Sequence, residues 1–348
     1  MLIKNTIKSS RLIILIAFVL LNPQLLIDSV KNGMLICYNS VIPSLYIFMI
    51  VANYRSQPEI MNILSFPLRW YGRLLKINDK YFSGCLAVSL LGGFAVGAKY
   101  INTMKNRGYS DNALKVVSVS LINNSFSYCV FVAGLATFGS IVPGLMLYFS
   151  LISASLISAF VLSFIYQYNI VSYVKNTEKS NITIVSSITS AVDTMLIICG
   201  FVLFFNCICE ALSLYTYHNK ILNTIISIFI EVTCGTLNLL SFSGNNIYYL
   251  CFSLSVLPIC TLCQVYHFTH NSRIIKTLLL SRLIHTPVSC MILSLLINLF
   301  PTTIDVNANI SPVFFPFSKN MELSSVMFLI TTFFIIATDK NKLFTNAE

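Results

Sequence analysis

The stretch Gly92-Gly93-Phe94-Ala95-Val96-Gly97-Ala98-Lys99 decides the fold of this chain. It closes a run that begins at Tyr81 and holds no other charged residue, as expected of a segment inside a lipid bilayer. Three glycines in so short an apolar segment predict a broken helix, whose freed backbone groups are tolerated in a membrane where they line a cavity. A lysine at that depth costs about 3 kcal/mol on insertion scales. The segment is therefore a candidate site for a solute or an ion.

The composition is that of an integral membrane protein. Of 348 residues, 56% are hydrophobic and only 10% are charged, too few to cover the surface of a soluble domain. No Asp, Glu, Lys or Arg occurs between Val116 and Val174, which is long enough for two spans of about 20 residues. The net charge of +10 comes from basic residues in short loops. They set the topology, and we expect no nucleic-acid partner.

We predict an all-α polytopic membrane protein with about eight full transmembrane helices plus two re-entrant hairpins arranged as an inverted repeat. The hairpins are the two shorter segments that carry glycine or polar residues, 81–99 and 221–243. Between residues 59 and 76, apolar residues that include Trp70 alternate with basic residues, as in a helix at the lipid headgroups. The full spans are predicted at 11–27, 34–53, 116–137, 143–166, 190–214, 247–266, 279–300 and 323–338.

The distribution of basic residues favours the hairpins. If both short segments leave the membrane on the side from which they enter, 17 of the 22 Lys and Arg residues face the cytoplasm together with both termini, and three face outward. Lys99 and Arg282 then remain in or near the membrane. If 81–99 alone crossed fully, the following segments would flip and put Lys105, Arg107, Lys175 and Lys179 on the wrong side of the membrane.

The same topology divides the chain into two halves of opposite orientation. The alternative is a set of ten ordinary spans in which glycines allow close helix packing. The predicted divisions are an N-terminal span at 1–32, a first repeat at 33–168, a cytoplasmic linker at 169–189, a second repeat at 190–301, and a C-terminal span and tail at 302–348.

Polar residues of the first half form a candidate anion site. Lys99 offers a positive charge, and the glycines before it allow backbone N–H groups to approach the same solute. The alternative for Lys99 is that it extends to the cytoplasmic interface. Further donors and acceptors interrupt the next span, where the alternative is hydrogen bonding between helices. The candidates are Gly92, Gly93, Gly97, Lys99, Asn123, Asn124 and Ser125.

The second half carries a carboxylate in its own hairpin, Glu231, followed by Gly235. At membrane depth a carboxylate binds a proton or a cation, or pairs with a basic side chain such as Lys99 or Arg282. Arg282 and His285 begin another span one helical turn apart and on one face. Extension of Arg282 to the interface is the alternative to a site.

A metal site and an enzyme active site are not predicted. Two thiols and two imidazoles follow one helical face at offsets 0, 3, 7 and 10, at Cys260, Cys263, His267 and His270. One straight helix spreads these four over about 15 Å, too far to meet on one ion, so they are only weak metal candidates. We find no nucleotide-binding loop, nucleophile elbow or metalloprotease motif, and we predict no catalysis and no cofactor.

The order of these motifs resembles the YlbJ-type sporulation integral membrane proteins, which carry the nucleoside recognition or Gate domain. The resemblance runs from about Gly33 to Pro301 and includes Val41-Ile42-Pro43-Ser44-Leu45, Gly93-Phe94-Ala95-Val96-Gly97-Ala98-Lys99, Asn123-Asn124-Ser125-Phe126-Ser127, Glu231-Val232-Thr233-Cys234-Gly235, Gln264 and Arg282. Two departures are Ala95 and Ser127, which stand where the family usually has proline. On this resemblance Gln264 and Arg282 join the candidate substrate-binding residues.

The resemblance implies a role in endospore formation, in the mother-cell and outer forespore membrane, in moving dipicolinate toward the spore. Dipicolinate is a planar dianion, and a lysine, backbone N–H donors and asparagines are suitable groups to bind it. The expected function is secondary transport of this small organic anion, with the lipid bilayer as the other partner. The alternatives are a non-transporting assembly or scaffold protein of the sporulation membrane, or a nucleoside or metal-ion transporter. A homo-oligomer and sporulation membrane partners stay open.

Overall fold

The described part of the chain is all-helical. The computed structural model describes residues 22–54, 61, 63–169, 183–216, 218–243 and 246–300, with no account of the side chains at 241–243. Besides the short 3-10 helix Phe66–Leu68, the main helices within these residues are α1 Pro23–Tyr54, α2 Arg69–Leu74, α3 Lys80–Gly92, α4 Phe94–Asn106, α5 Asp111–Leu121, α6 Tyr128–Phe138, α7 Ile141–Ile165, α8 Ile184–Thr216, α9 Lys220–Ile230, α10 Val232–Ser243, α11 Ile247–Ser255, α12 Ile259–Thr269 and α13 Ser272–Leu299.

Among the described residues, five stretches are long and apolar enough to cross a membrane, which indicates a multi-pass membrane protein. They are α1, α7, α8, the pair α11–α12 taken together, and α13. The predicted all-α class is confirmed, whereas the count of eight full spans is not. The predicted span 323–338, most of 11–27 and most of the linker lie outside the described residues.

The predicted spans differ from the helices that form at three places: at residues 28–33, within 116–137, and within 247–266, where the helix is interrupted at 256–258. Residues 28–33, expected to join two spans, belong to the 32-residue α1, because Asp28 and Lys31 lie exposed on its surface 3.9 Å apart and do not end the helix. The predicted continuous span 116–137 is wrong: the helix stops at Leu121 and resumes after residue 125.

The two halves of the fold have the same order of elements. A long helix comes first (α1 or α8), then a helical hairpin (α3–α4 or α9–α10), then a helix interrupted near its middle (α5–α6 or α11–α12), and last another long helix (α7 or α13). Equivalent elements pack together across the halves, α1 on α8 and α7 on α13. The short α2 is an addition to the first half and packs on α3.

A buried ion pair joins the two ends of the first hairpin. Asp79 caps α3 by accepting a hydrogen bond from the backbone N–H of Tyr81 (2.9 Å), and its other oxygen accepts from Tyr109 (2.7 Å). The Arg107 guanidinium lies 3.8 Å from the Asp79 carboxylate and 4.1 Å from the centre of the Tyr81 ring. Burial, with Asp79 beside it, raises the pKa of Tyr109, so the phenol remains a donor. These contacts hold the start of α3 against the loop that follows α4, although the two are at least 26 residues apart in sequence.

Glycines let the helices of this fold approach one another closely. A methyl group on Gly97 of α4 would lie 2.1 Å from the carbonyl oxygen of Leu121, at the end of α5. In the second hairpin, one on Gly235 would lie 2.5 Å from the Cα of Ile228. Because real contacts of this kind are never so short, no larger residue fits either position without displacement of a helix.

Candidate functional site

The tip of the first hairpin is a single glycine. Helix α3 ends at Gly92 and α4 begins at Phe94, and Gly93 between them has φ +79°, which other residues rarely adopt. A methyl group there would also lie 2.9 Å from the Cβ of Ser125. The tip therefore packs directly against the interruption between α5 and α6.

The tip of the second hairpin is Glu231. Its backbone is extended, and its carboxylate accepts hydrogen bonds from the backbone N–H of Cys234 (2.7 Å) and the hydroxyl of Thr233 (3.2 Å). Those groups begin α10, so Glu231 caps this helix and its charge lies at the positive end of the helix dipole. The side chain is 2% exposed.

Each tip meets a helix interruption, at 122–125 in the first half and at 256–258 in the second. The interruptions leave the last carbonyls of α5 and α11 without helical partners. Asn124 supplies one such partner across the halves, because its side-chain amide donates to the carbonyl oxygen of Leu254 (2.7 Å). The Asn123 amide donates to the carbonyl of Ser120 in its own half (2.6 Å).

A small cavity lies where these four elements come together. Its volume is about 20 Å³, enough for a single water molecule. The cavity is lined by the first residue of the second helix of each hairpin, by both interruptions and by α7, α11, α12 and α13. The lining residues are Phe94, Ile122, Asn123, Asn124, Leu151, Val232, Leu254, Val256, Leu257, Pro258, Thr261, Arg282 and His285.

Arg282 is the charged residue of this cavity. Its Nη1 donates to the carbonyl oxygen of Ser255 (3.3 Å), while its Nε and Nη2 are buried without a hydrogen-bond partner among the described residues. Nε and Nη2 form the edge of a guanidinium that binds both oxygens of a carboxylate with two parallel hydrogen bonds. A buried N–H donor that makes no hydrogen bond costs free energy. The edge is therefore available to an anion.

The other polar groups of the cavity complete an anion-binding surface. Asn123 has a buried amide oxygen and His285 a buried Nδ1, neither with a partner in the described part of the chain. The lining residues include no Asp or Glu. The cavity therefore carries a single positive charge with no acidic side chain lining it, in apolar surroundings where that charge acts strongly.

Three of the predicted site residues, Asn123, Asn124 and Arg282, meet at the cavity. Lys99 does not line it: the ammonium donates to the hydroxyl (3.2 Å) and the carbonyl (3.4 Å) of Ser190 on α8. The remaining predicted residues belong to the framework around the cavity and not to its lining. These are Gly92, Gly93, Gly97, Ser125, which caps α6 at the N–H of Tyr128, Glu231, Gly235 and Gln264, whose amide donates to the thiol of Cys260.

The four weak metal candidates lie along α12 and just beyond it. Cys260 is buried and accepts from Gln264, whereas His267 and His270 are exposed, with ring centres 6.1 Å apart. No group of three His, Cys, Asp or Glu side chains in the described ranges is arranged to hold a metal ion.

His285 and the second interruption were not among the predicted site residues. The Arg-x-x-His spacing had placed His285 on the face of Arg282, which is the signal that identifies it. Pro258 lies inside the predicted span 247–266, and proline in a helix interior removes a hydrogen bond. That proline was the available signal for the interruption at 256–258.

Searches for similar proteins gave no match to a family model, to a curated protein or to a solved structure.

Proposed function

We propose that this protein is a secondary transporter of a small organic anion and that Arg282 binds a carboxylate of that anion. The observation that carries the proposal is the unpartnered Nε and Nη2 edge of Arg282, buried in a cavity with no acidic lining residue. A permanent cation in such surroundings is retained at considerable cost, and a carboxylate is the partner with matching geometry.

The proposed membrane arrangement is an inverted repeat in which the two hairpins enter from opposite sides. Its support is the shared order of elements in the two halves, because the residue after each hairpin tip and both helix interruptions line one cavity. Secondary transporters build their binding sites near the membrane midplane from such elements. The basic residues then put both termini in the cytoplasm, as the positive-inside rule requires.

Dipicolinate is the solute we propose, following the resemblance to the sporulation family. One carboxylate of this dianion pairs with Arg282, and Asn123 and His285 lie in the same cavity. A space of about 20 Å³ holds one water molecule, so binding requires Phe94 and Val232, the residues that follow the two hairpin tips, to move apart. Such movement of a hairpin tip is a natural gate, because each tip is a single residue between two helices.

The test is uptake of labelled dipicolinate into proteoliposomes that contain the purified protein. Arg282→Gln removes the charge, and we expect uptake at low substrate concentration to fall at least about 30-fold, because loss of one partner of a buried charge pair costs about 2–5 kcal/mol. Arg282→Lys keeps the charge but lacks the planar fork, so we expect partial recovery.

The matched control is Arg273→Gln on the same helix. Arg273 is exposed and pairs with Asp111, far along α13 from the cavity, so we expect wild-type uptake. Wild-type uptake by a well-folded Arg282→Gln protein would refute the role of Arg282. A folded wild-type protein with no flux of dipicolinate would instead favour a non-transporting assembly protein.

A further inference from the structure

His285 lies in the cavity one helical turn after Arg282 and is 2% exposed. Its Nε2 is 3.1 Å from the carbonyl oxygen of Leu151 on α7. A carbonyl oxygen only accepts hydrogen bonds, so in the neutral ring Nε2 carries the hydrogen and Nδ1 is a bare acceptor. Nδ1 is buried and has no hydrogen-bond donor among the described residues. It is the one position on this ring where a proton can be added.

The groups that contact the ring, or line the cavity with it, come from four elements. The carbonyl of Leu151 on α7 and the carbonyl of Ser255 at the end of α11 are both acceptors. Arg282 on α13 is the charged neighbour, and it already donates to Ser255. The first interruption contributes the neutral amide of Asn123. The described lining includes no carboxylate, so a proton on Nδ1 is opposed by a cation and has no fixed anion to stabilise it.

We propose that Nδ1 of His285 binds a proton together with the transported anion, so that anion and proton move as a pair. This inference rests on the proposed function. With the cavity empty, burial and the charge of Arg282 keep His285 neutral, because an apolar interior disfavours a charged ring and two cations in one small cavity repel strongly. A carboxylate on Arg282 cancels that repulsion, and the second carboxylate of a dianion attracts a proton to Nδ1. The proton comes from solvent, and no covalent bond of the solute is made or broken.

The charge balance gives the pairing its physical advantage. A dianion with Arg282 alone leaves the loaded site with one negative charge, whereas a dianion with Arg282 and protonated His285 is neutral. A neutral loaded site costs far less to move within a low-dielectric membrane than a charged one. Because linkage is reciprocal, a proton that is favoured by the anion must favour the anion by the same factor.

The experiment counts protons during binding of dipicolinate to the purified full-length protein. Calorimetric titration at pH 7.5 in two buffers of different ionisation enthalpy gives the number of protons taken up per anion. Carboxylates are fully ionised above about pH 6, so dipicolinate itself contributes none. We expect about one proton per bound anion, and affinity that rises up to about tenfold for each unit by which the pH falls.

We expect His285→Gln to bind dipicolinate with no proton uptake and with affinity independent of pH. His267→Gln, which changes an exposed histidine of α12, is the control and should keep the wild-type proton count. Wild-type binding without proton uptake, or uptake unchanged in His285→Gln, overturns this inference and leaves the proposed function standing. The number of protons taken up by the wild-type protein is measured without any variant, so the inference can be refuted even if His285→Gln misfolds. Absence of binding to the wild-type protein at every pH refutes both.

Discussion

Gly97 of the first hairpin is a position where a single added methyl group is expected to have a large effect. Replacing Gly97 by Ala puts a carbon 2.1 Å from the carbonyl oxygen of Leu121 and 2.7 Å from its carbonyl carbon, where ordinary contact begins at 3.4 Å. The overlap with the oxygen is thus 1.3 Å. Both partners are helical backbone, which cannot rotate away as a side chain would, so α4 and α5 must separate.

The magnitude follows from a comparison with Gly200, at an exposed position of α8. A methyl group there meets nothing within 4 Å, so Gly200→Ala gains only helix propensity and stabilises by about 0.5–1 kcal/mol. Gly97→Ala has the same gain, but overpacking costs about 1–3 kcal/mol even where side chains can adjust. With rigid backbone on both sides, we expect Gly97→Ala to be less stable than Gly200→Ala by about 3 kcal/mol.

The assay is thermal unfolding of both purified variants in one detergent at one scan rate, with helicity followed by circular dichroism. Gly97→Ala should unfold at a lower temperature than the wild-type protein, and Gly200→Ala at the same or a higher one. Gly97→Ala should also weaken dipicolinate binding, since Leu121, which the added methyl group displaces, is two residues before Asn123 of the cavity. Equal stability of the two variants would refute the reasoning that Gly97 is required for helix contact.

Three further perturbations test other parts of the fold. Asp79→Asn keeps the cap of α3 but leaves the buried Arg107 guanidinium without a charged partner, so we expect the free energy of unfolding to fall by about 3 kcal/mol or more. The control is the exposed Asp28→Asn, which should lower it by less than about 1 kcal/mol, and equal losses would contradict the role of the buried pair. Trp70 is the single tryptophan and is 60% exposed, so lipids brominated near the headgroup should quench its fluorescence more than lipids brominated near the chain end, and the reverse order would exclude an interfacial α2. Lys99→Met should bind dipicolinate with an affinity within about twofold of wild type, because the ammonium donates hydrogen bonds to Ser190 of α8 and does not line the cavity. Complete loss of binding in a folded protein would show that Lys99 contributes to the site.

Sequence patterns located the two helical hairpins, although the first extends to Asn106, and the re-entry of both hairpins into the membrane stays a prediction. The predicted segments 81–99 and 221–243 correspond to helix pairs that begin at Lys80 and Lys220 and turn at Gly93 and Glu231. Glycine and isolated charge are strong local signals in an apolar chain, because each is costly there without a structural reason. The sequence predicts polar side chains at 123–125 but no interruption of the helix, since nothing in Asn-Asn-Ser forbids a helix. Its cause is tertiary: the tip at Gly93 packs against Ser125.

The site was predicted in part for a similar reason. Asn123, Asn124 and Arg282 reach the cavity, whereas Lys99 follows the tip by six residues and lies about 9 Å along α4 from it. Sequence spacing gave the depth of Lys99 in the segment but not the direction of its side chain, which extends toward α8. Packing between distant segments decides which helix a side chain faces. The local sequence pattern does not contain that information.

The cavity receives different chemistry from the two halves of the fold, although their elements occur in the same order. The first half contributes the amides of Asn123 and Asn124, and the second contributes the cation and the imidazole of Arg282 and His285. A symmetric protein assembled from two copies of the second half would hold two guanidinium groups in one small cavity and would repel itself apart. One assembled from two copies of the first half would hold no charge and would have nothing to attract an anion. The two halves are thus complementary components, and their covalent linkage in one chain ensures that each cavity is made from one of each.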